Sequence, residues 1–159
     1  ITRKLAAPGN PELAIGAVAA DGTAFLDEDM ARSAGASERY VATETERQTL
    51  EMQRRLRVYR GDRPPPTLKG KDVVLVDDGI ATGATTLVAL RALRRQDPAR
   101  LILAIPVVPP DAIRRMEREA DQVVVVAAPE PFWAVGAFFS DWSQTSDGEV
   151  IALLNQHRQ

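Results

Sequence analysis

The sequence contains no cysteine, which excludes disulfide bridges, thiol nucleophiles and cysteine metal sites. A reducing cytoplasm fits this absence, and it is the compartment that we expect. No apolar run reaches the roughly 18 residues that a membrane-spanning helix needs, and no signal-peptide pattern is visible. The formal net charge is only -2, so nothing indicates a general nucleic-acid or anionic-membrane binder. The single histidine, His157, lies near the end of the chain and is not expected to be catalytic.

The length and composition of the chain indicate one ordinary globular domain, which we expect to span residues 1–159. The chain has 159 residues, of which 45% are hydrophobic and 26% are charged, and both fractions are typical of soluble proteins. The chain begins with Ile1 rather than methionine, and its first residues resemble the end of a strand. We therefore expect further sequence upstream of Ile1.

The first part of the chain predicts short strands followed by helices. Residues 12–25 contain LAIGAVA and TAFL, two apolar segments that Asp21 and Gly22 can join as a hairpin. Asp27 can cap a short helix that ends at a glycine, and a long charged helix is predicted over residues 37–59. Its narrow apolar stripe consists of Leu50, Leu56 and Tyr59.

From residue 73 onward, strands and helices alternate. The apolar runs VVLVD, LILAIPVV and QVVVVA predict strands that are buried on both faces. Helices are predicted over residues 85–95, 111–119 and 147–156. This alternation predicts an α/β fold with three α/β/α layers and a mostly parallel central sheet, in which ligands bind at the carboxyl ends of the strands.

The segment GIATGATT follows the first of these strands and has the composition of an anion-binding loop. Its small residues let backbone N–H groups approach a ligand, and the helix that follows begins with unpaired N–H groups and a partial positive charge. Thr82, Thr85 and Thr86 can add hydroxyl donors. No lysine follows Gly83, so the loop is not a nucleoside-triphosphate loop. The pattern suits a terminal phosphate monoester.

Two adjacent acids, Asp77 and Asp78, stand directly before this loop. Carboxylates only accept hydrogen bonds, so they require a donor or a cation as partner. A sugar diol or Mg²⁺ would serve, and a sugar phosphate would satisfy both the acids and the loop. Two other interpretations are a plain strand–helix turn with solvated acids and the acidic strand end of a receiver-type phosphorylation domain.

The stretch VVLVDDGIATGATT resembles the PRPP-binding motif of type I phosphoribosyltransferases. RKLAAPGNPELAIGAV and PEPFWAVGAFFSDWSQTSDGEV resemble a group of bacterial members whose substrates are mostly unassigned. The resemblance implies displacement of pyrophosphate from PRPP by a nucleobase or a similar acceptor, with Mg²⁺, and it makes Asp77 and Asp78 the catalytic contacts to the ribose hydroxyls. It implies that the PRPP-binding residues are Asp77, Asp78, Gly79, Ala81, Thr82, Gly83, Ala84 and Thr85.

The resemblance also implies roles outside the loop. Arg3 and Lys4, expected at a strand exit, would hold the pyrophosphate, although an ordinary basic pair is the alternative. Trp133 would stack on the base unless it is a core residue, and Asp141 would bind Mg²⁺. The strand at residues 12–19 would run antiparallel to the others. A first strand and its pyrophosphate loop would precede Ile1, and without them the sheet would lack a central strand.

The sequence departs from two subclasses of this family. Ala81 stands where purine-salvage members often carry an acid, and Ala127 and Ala128 stand where hypoxanthine–guanine enzymes place a lysine. The acceptor is therefore open. A non-catalytic PRPP- or nucleotide-sensing regulator is an alternative, as is a hydrolytic or phosphorolytic enzyme. We expect PRPP and an acceptor as small-molecule partners, no nucleic acid or membrane partner, and by analogy a possible homodimer.

Overall fold

A computed structural model describes residues 1–156, apart from the side chain of Glu12. The elements, in chain order, are β1 (Thr2–Ala7), β2 (Asn10–Ala19), β3 (Ala24–Leu26), α1 (Glu28–Ser33), α2 (Glu38–Arg60), β4 (Asp72–Val76), α3 (Ala84–Arg94), β5 (Arg100–Val107), α4 (Pro110–Met116), β6 (Gln122–Ala127), a 3₁₀ turn (Val135–Phe138) and α5 (Asp147–Gln156). The order predicted from the sequence is confirmed. His157 lies outside the described residues.

The first three strands form an antiparallel sheet in the order β1-β2-β3. Gly9 and Gly22 take positive φ values of 70° and 83° in the two connecting turns, a conformation that glycine adopts without steric cost. The predicted hairpin is confirmed, and β2 runs antiparallel to both of its neighbours. The segment AAPGNPE is therefore part of a hairpin, because β1 continues to Ala7.

The last three core strands form a parallel sheet in the order β4-β5-β6. One face of this sheet packs on α3 and α4, with Leu101, Leu103 and Ile105 buried in that cluster. The opposite face is exposed, and Val76 and Val126 are 70% and 83% accessible. The prediction that these strands are buried on both faces is therefore wrong, because α3 and α4 both pack on the same side of the sheet.

Helix α3 joins the two sheets into one structure. Its Ala84 and Val88 pack against Ala17 and Ala19 of β2, while Leu87 and Leu90 belong to the cluster under the parallel sheet. On the other face of the antiparallel sheet, Met52 of α2 packs in a separate cluster. The α/β class and the layers of helix, sheet and helix are confirmed, and the strands divide between two three-stranded sheets.

Helix α2 begins where the sequence predicts but buries a different stripe. Ser37 caps it by accepting a hydrogen bond from the N–H of Tyr40, as expected of a serine N-cap. The buried residues are Glu44, Gln48 and Met52, whereas the predicted stripe residue Leu50 is 60% exposed. A spacing of four residues keeps side chains on one face, and this spacing decides which residues point inward. Through residue 156, no helix combines the length and the apolar character required to cross a bilayer.

Candidate functional site

The two acids lie at the carboxyl end of β4, directly after its last residue. The N–H of Asp77 donates to the carbonyl of Ala104 at 3.4 Å, and the N–H of Ile80 donates to the carbonyl of Val107 at 3.0 Å. These bonds attach the start of the loop to the neighbouring strand β5. The acids are thus held at the edge of the sheet where ligands bind in α/β proteins.

Both carboxylate oxygens of Asp77 accept hydrogen bonds from within the loop and the helix. The hydroxyl of Thr86 donates to Oδ2 at 3.2 Å, and the backbone N–H of Asp78 donates to Oδ1 at 3.1 Å. Thr86 is 2% exposed. Its hydroxyl therefore orients Asp77, which differs from the role of anion donor that its position in the loop predicts.

Asp77 stands in an environment that disfavours its charge. Burial raises the pKa of its carboxyl group above the ordinary value, and the neighbouring charge of Asp78 raises it further. The two hydrogen bonds act in the opposite direction but do not cancel these effects. Among residues 1–156, no cationic side chain forms an ion pair with Asp77. An incoming donor or cation would therefore relieve an unfavourable arrangement.

The loop after the acids opens toward solvent and ends at the first turn of α3. Ala81 and Thr82 are exposed, and Gly83 caps the helix in the left-handed conformation, with φ of 79° and without a side-chain cap. A Cβ on Gly83 would also lie 3.0 Å from Cε of Met116. The first N–H groups of α3, at Ala84 and Thr85, lack partners within the helix and can bind an anion.

Gly79 brings a distant segment of the chain against the acids. A Cβ at this position would lie 2.5 Å from Cγ1 of Val135 and 2.9 Å from Cγ1 of Val107. Such distances are too short for a side chain, so only glycine permits this packing. The 3₁₀ turn that begins at Val135 is thereby placed beside the acid pair. The glycine directly after two acids was the only sign of this contact in the sequence.

The segment around this turn exposes its aromatic residues. Trp133 is 82% exposed, so the core interpretation of this side chain is wrong, and its stacking role stays a prediction. Phe138 and Trp142 are 41% and 50% exposed. The indole ring of Trp142 covers Gly136, where a Cβ would meet its Cδ1 at 2.7 Å.

Asp141 lies in the same segment and forms a local turn. Its carboxylate accepts the backbone N–H of Ser143 at 2.9 Å, and this bond lowers the pKa of the carboxyl group. No hydrogen bond within residues 1–156 connects Asp141 to Asp77 or Asp78. Its role as a metal ligand remains a prediction.

Arg3 and Lys4 lie inside β1 rather than at its exit, because the strand continues to Ala7. The expectation that they sit at a strand end is therefore wrong. Arg3 points toward α2, where its Nε donates to Oε1 of Gln48 at 2.8 Å. Gln48 and the nearby Glu44 are buried polar residues that the sequence pattern did not identify. Only their spacing of four residues from each other and from Met52 could have indicated them.

Comparison with known proteins finds a family match that includes the two acids and the loop. Residues 26–138 match the family described as phosphoribosyl transferase domain. Two proteins from Mycobacterium tuberculosis, strains CDC 1551 and H37Rv, both named "Putative phosphoribosyl transferase", are 40% identical over 159 residues. The alignment covers 99% of this chain and 36% of each relative, so the chain spans about a third of their length.

A solved structure shares the fold of this chain, and a shorter alignment finds a named phosphoribosyltransferase. The crystal structure of TT1426 from Thermus thermophilus superposes with a TM-score of 0.73 at 39% identity, covering 98% of this chain and 74% of that one. A uracil phosphoribosyltransferase from Aquifex aeolicus is 35% identical over 60 residues, which is 38% of this chain and 29% of that protein.

Proposed function

Because this chain belongs to the phosphoribosyl transferase domain family, we propose that it binds PRPP at the loop between β4 and α3. It would transfer the phosphoribosyl group to an acceptor and release pyrophosphate. The observation that carries the proposal is the state of Asp77, which is oriented by Thr86 but has its pKa raised by burial and by Asp78. A ribose diol supplies the hydrogen-bond donors that this carboxylate pair needs.

The loop would hold the other end of the same ligand. The exposed backbone of Ala81 and Thr82, the N–H of Gly83 and the first N–H groups of α3 would bind the 5-phosphate, with hydroxyl bonds from Thr82 and Thr85. Thr86 is used by Asp77 and takes no part in this contact. Gly79 would keep the 3₁₀ turn that begins at Val135 beside this ligand. The ligand is thus fixed at its phosphate and at its two hydroxyl groups.

The chemistry needs little from the protein beyond position and charge. The bond between C1 of the ribose and the pyrophosphate oxygen breaks, and its electron pair leaves with pyrophosphate. The acceptor's lone pair forms the new bond to C1, and a nitrogen acceptor then releases its proton to the medium. Positive charge develops on the ribose in between, and the carboxylates of Asp77, which Thr86 orients, and of Asp78 would stabilise it.

The residues present fit a magnesium ion that arrives with the substrate. Within the described part of the chain, no three acidic, histidine or cysteine side chains form a cluster able to hold a metal. Mg²⁺ usually binds through one or two carboxylates together with substrate phosphates, and Asp77 and Asp78 can supply the carboxylates. When bound, the ion would neutralise charge on the leaving pyrophosphate.

Release of pyrophosphate tests the transferase proposal. The chain would be incubated with PRPP, Mg²⁺ and a panel of nucleobases, with uracil first because of the Aquifex relative. Acceptor-dependent pyrophosphate that disappears in an Asp77→Asn variant would support transfer. Free base formed from a nucleotide without any pyrophosphate would contradict it.

A regulatory protein that senses PRPP is the second candidate. Ala81 is compatible with it, because the exposed loop carries no titratable group at the position where purine-salvage enzymes often have an acid. Such a protein would bind PRPP with the same Asp77 dependence and release no pyrophosphate with any acceptor. The same assay therefore separates the two candidates.

A further inference from the structure

Backbone hydrogen bonds around the 3₁₀ turn beside the acid pair are long. The N–H of Ala137 donates to the carbonyl of Ala134 at 3.2 Å. The N–H of Phe139 donates to the carbonyl of Gly136 at 3.3 Å. Hydrogen bonds of 3₁₀ turns have poorer geometry than those of α-helices, and such turns are short. Side-chain packing must therefore help to hold this turn in its place.

The first residue of the turn, Val135, packs directly against the backbone that follows the two acids. A Cβ on Gly79 would lie 2.5 Å from Cγ1 and 3.0 Å from Cγ2 of Val135, so both methyl groups of the valine lie against this glycine. Gly79 adjoins Asp78, whose N–H donates to Oδ1 of Asp77 at 3.1 Å. The position of Val135 therefore affects the stretch of backbone that holds one oxygen of Asp77.

The second residue of the turn, Gly136, lies under the indole ring of Trp142. A Cβ on Gly136 would lie 2.7 Å from Cδ1 of the ring and 2.8 Å from both Cγ and Nε1. The φ angle of Gly136 is not in the left-handed region, so the close ring, rather than the backbone conformation, requires glycine here. The ring thus packs on the turn itself, one residue away from Val135.

Trp142 is in turn held by the residues around it. The ring centroids of Phe139 and Trp142 are 5.0 Å apart, with the planes tilted by 39°, and aromatic pairs at such distances stabilise each other. On either side of Trp142 in the chain, the carboxylate of Asp141 accepts the N–H of Ser143 at 2.9 Å. This bond closes a local turn around the tryptophan, which keeps its ring directed at Gly136.

We propose that Trp142 is a positioning residue for the acid pair, because its ring holds the 3₁₀ turn in the place where Val135 packs on Gly79. The inference rests on the proposed phosphoribosyl transfer, which gives the acid pair its ligand. Trp142 contacts neither the ligand nor the acids and acts through Val135. Its role therefore differs from the base stacking that is expected of Trp133.

Two glycine substitutions compare a covered position with an open one. Gly136→Ala adds a methyl group that the indole ring must move away to admit, whereas Gly148→Ala adds the same group where the nearest atom, Oγ of Ser146, is 3.9 Å away. Calorimetry would measure the binding of PRPP with Mg²⁺ to both variants. We expect Gly136→Ala to weaken this binding about three- to tenfold, and Gly148→Ala to bind PRPP as the wild type does.

Substitution of Trp142 itself tests the ring without adding a methyl group. Trp142→Ala removes the ring and should weaken PRPP binding to a similar extent, whereas Trp142→Phe keeps a flat ring and should retain most of the affinity. Wild-type affinity in Trp142→Ala would overturn the proposal. Thermal unfolding would verify that each variant is folded, and the two Trp142 variants decide if Gly136→Ala does not fold.

A double-mutant cycle distinguishes positioning by the ring from a general loss of packing. If Gly136→Ala acts by displacing the ring, it should have no further effect on PRPP affinity once Trp142 is replaced by alanine. The same loss of affinity in both backgrounds would overturn the proposal.

The NMR spectrum of the free protein keeps this test separate from that of the proposed function. The amide resonances of Asp78 and Gly79 should shift in Trp142→Ala and stay in place in Gly148→Ala. Unchanged resonances in Trp142→Ala would overturn the positioning role, whatever the PRPP affinity. A wild-type chain that binds no PRPP, together with shifted resonances in Trp142→Ala, would contradict the proposed function and support the positioning of the acids by Trp142.

Discussion

Asp77 and Glu44 are carboxylates withdrawn from solvent, and their surroundings shift their pKa values in opposite directions. The pKa of Asp77 is raised, first by burial and then by the charge of Asp78. The pKa of Glu44 is lowered, first by its hydrogen bond from Arg47. Glu44 has a cation and an amide within hydrogen-bond distance, whereas Asp77 has one hydroxyl and one backbone N–H.

This difference indicates that Glu44 stabilises the fold, whereas Asp77 is suited to bind a ligand. Glu44 has its charge compensated inside the protein and gains nothing from a ligand. Asp77 is oriented but not compensated, and such an arrangement is typical of functional sites, where stability is given up for binding. Asp78, exposed beside it, completes a pair that a ribose diol or a bound cation would satisfy.

The largest expected effect comes from neutralising the acid pair. Asp77→Asn with Asp78→Asn removes the charge-assisted hydrogen bonds to the ribose, and we expect PRPP affinity to fall by at least about a hundredfold. The free energy of unfolding should not fall at neutral pH. A raised folded pKa means that ionised Asp77 opposes folding once the pH exceeds that pKa, and the variant removes this penalty.

Calorimetry and chemical denaturation would check the two halves of this prediction. A variant that binds PRPP as tightly as the wild type would show that the acids are only solvated. A variant that loses both affinity and stability would show that Asp77 has a structural role like that of Glu44.

A smaller effect is expected when only the orientation of Asp77 is lost. Thr86→Val removes the hydroxyl that contacts Oδ2 while preserving the shape of the side chain, and we expect PRPP affinity to fall about tenfold. Thr86→Ser keeps the hydroxyl and should retain most of the affinity. Equal affinities for the two variants in a titration would argue against a role of Thr86 in positioning.

Substitution of Glu44 should change the stability of the protein rather than its PRPP affinity, and the effect on stability should depend on pH. We expect Glu44→Gln to lower the free energy of unfolding by about 1–2 kcal/mol at neutral pH. Because the folded pKa lies below the ordinary value of 4.5, this stabilisation is complete above that value. It is lost as the pH falls through the lowered folded pKa.

Urea unfolding of wild type and variant at several pH values would measure this difference. The two curves should converge under acid conditions, where Glu44 is protonated in both the folded and the unfolded state. A constant difference at every pH would mean that the hydrogen bonds, and not the charge, account for the effect.

The smallest effect concerns the pKa of Asp77 itself. Asp78→Asn removes the neighbouring charge, which is the second cause of the raised pKa, so the pKa of Asp77 should fall. Carboxyl carbon NMR titration of the free protein would measure it without any ligand. No change in this pKa would contradict the assigned repulsion.

Local sequence signals predicted the order of elements and the position of the loop. Asp27 accepts the N–H of Met30 as a helix cap, and the apolar run before Asp77 forms β4. Helix caps and strands are determined by residues that are close in the sequence, so a single sequence is enough to predict them. The position of the carboxyl end of β4 was predicted in the same way.

The same local signals could not predict contacts between segments that are distant in the sequence. The burial of Gln48 depends on Arg3, 45 positions away, and a glutamine in a charged helix resembles a solvated residue. The apolar run at β4 predicted burial on both faces, yet Val74 is 54% exposed. An apolar sequence shows that a strand can be buried, but tertiary packing determines which of its faces is buried.

The most direct test of the account is titration of the wild-type chain with PRPP and Mg²⁺ at neutral pH. The account predicts saturable binding at one site per chain, with ribose 5-phosphate competing for that site. A demonstrably folded chain that gives no binding heat and no competition would contradict the assignment of the loop between β4 and α3 as a PRPP site.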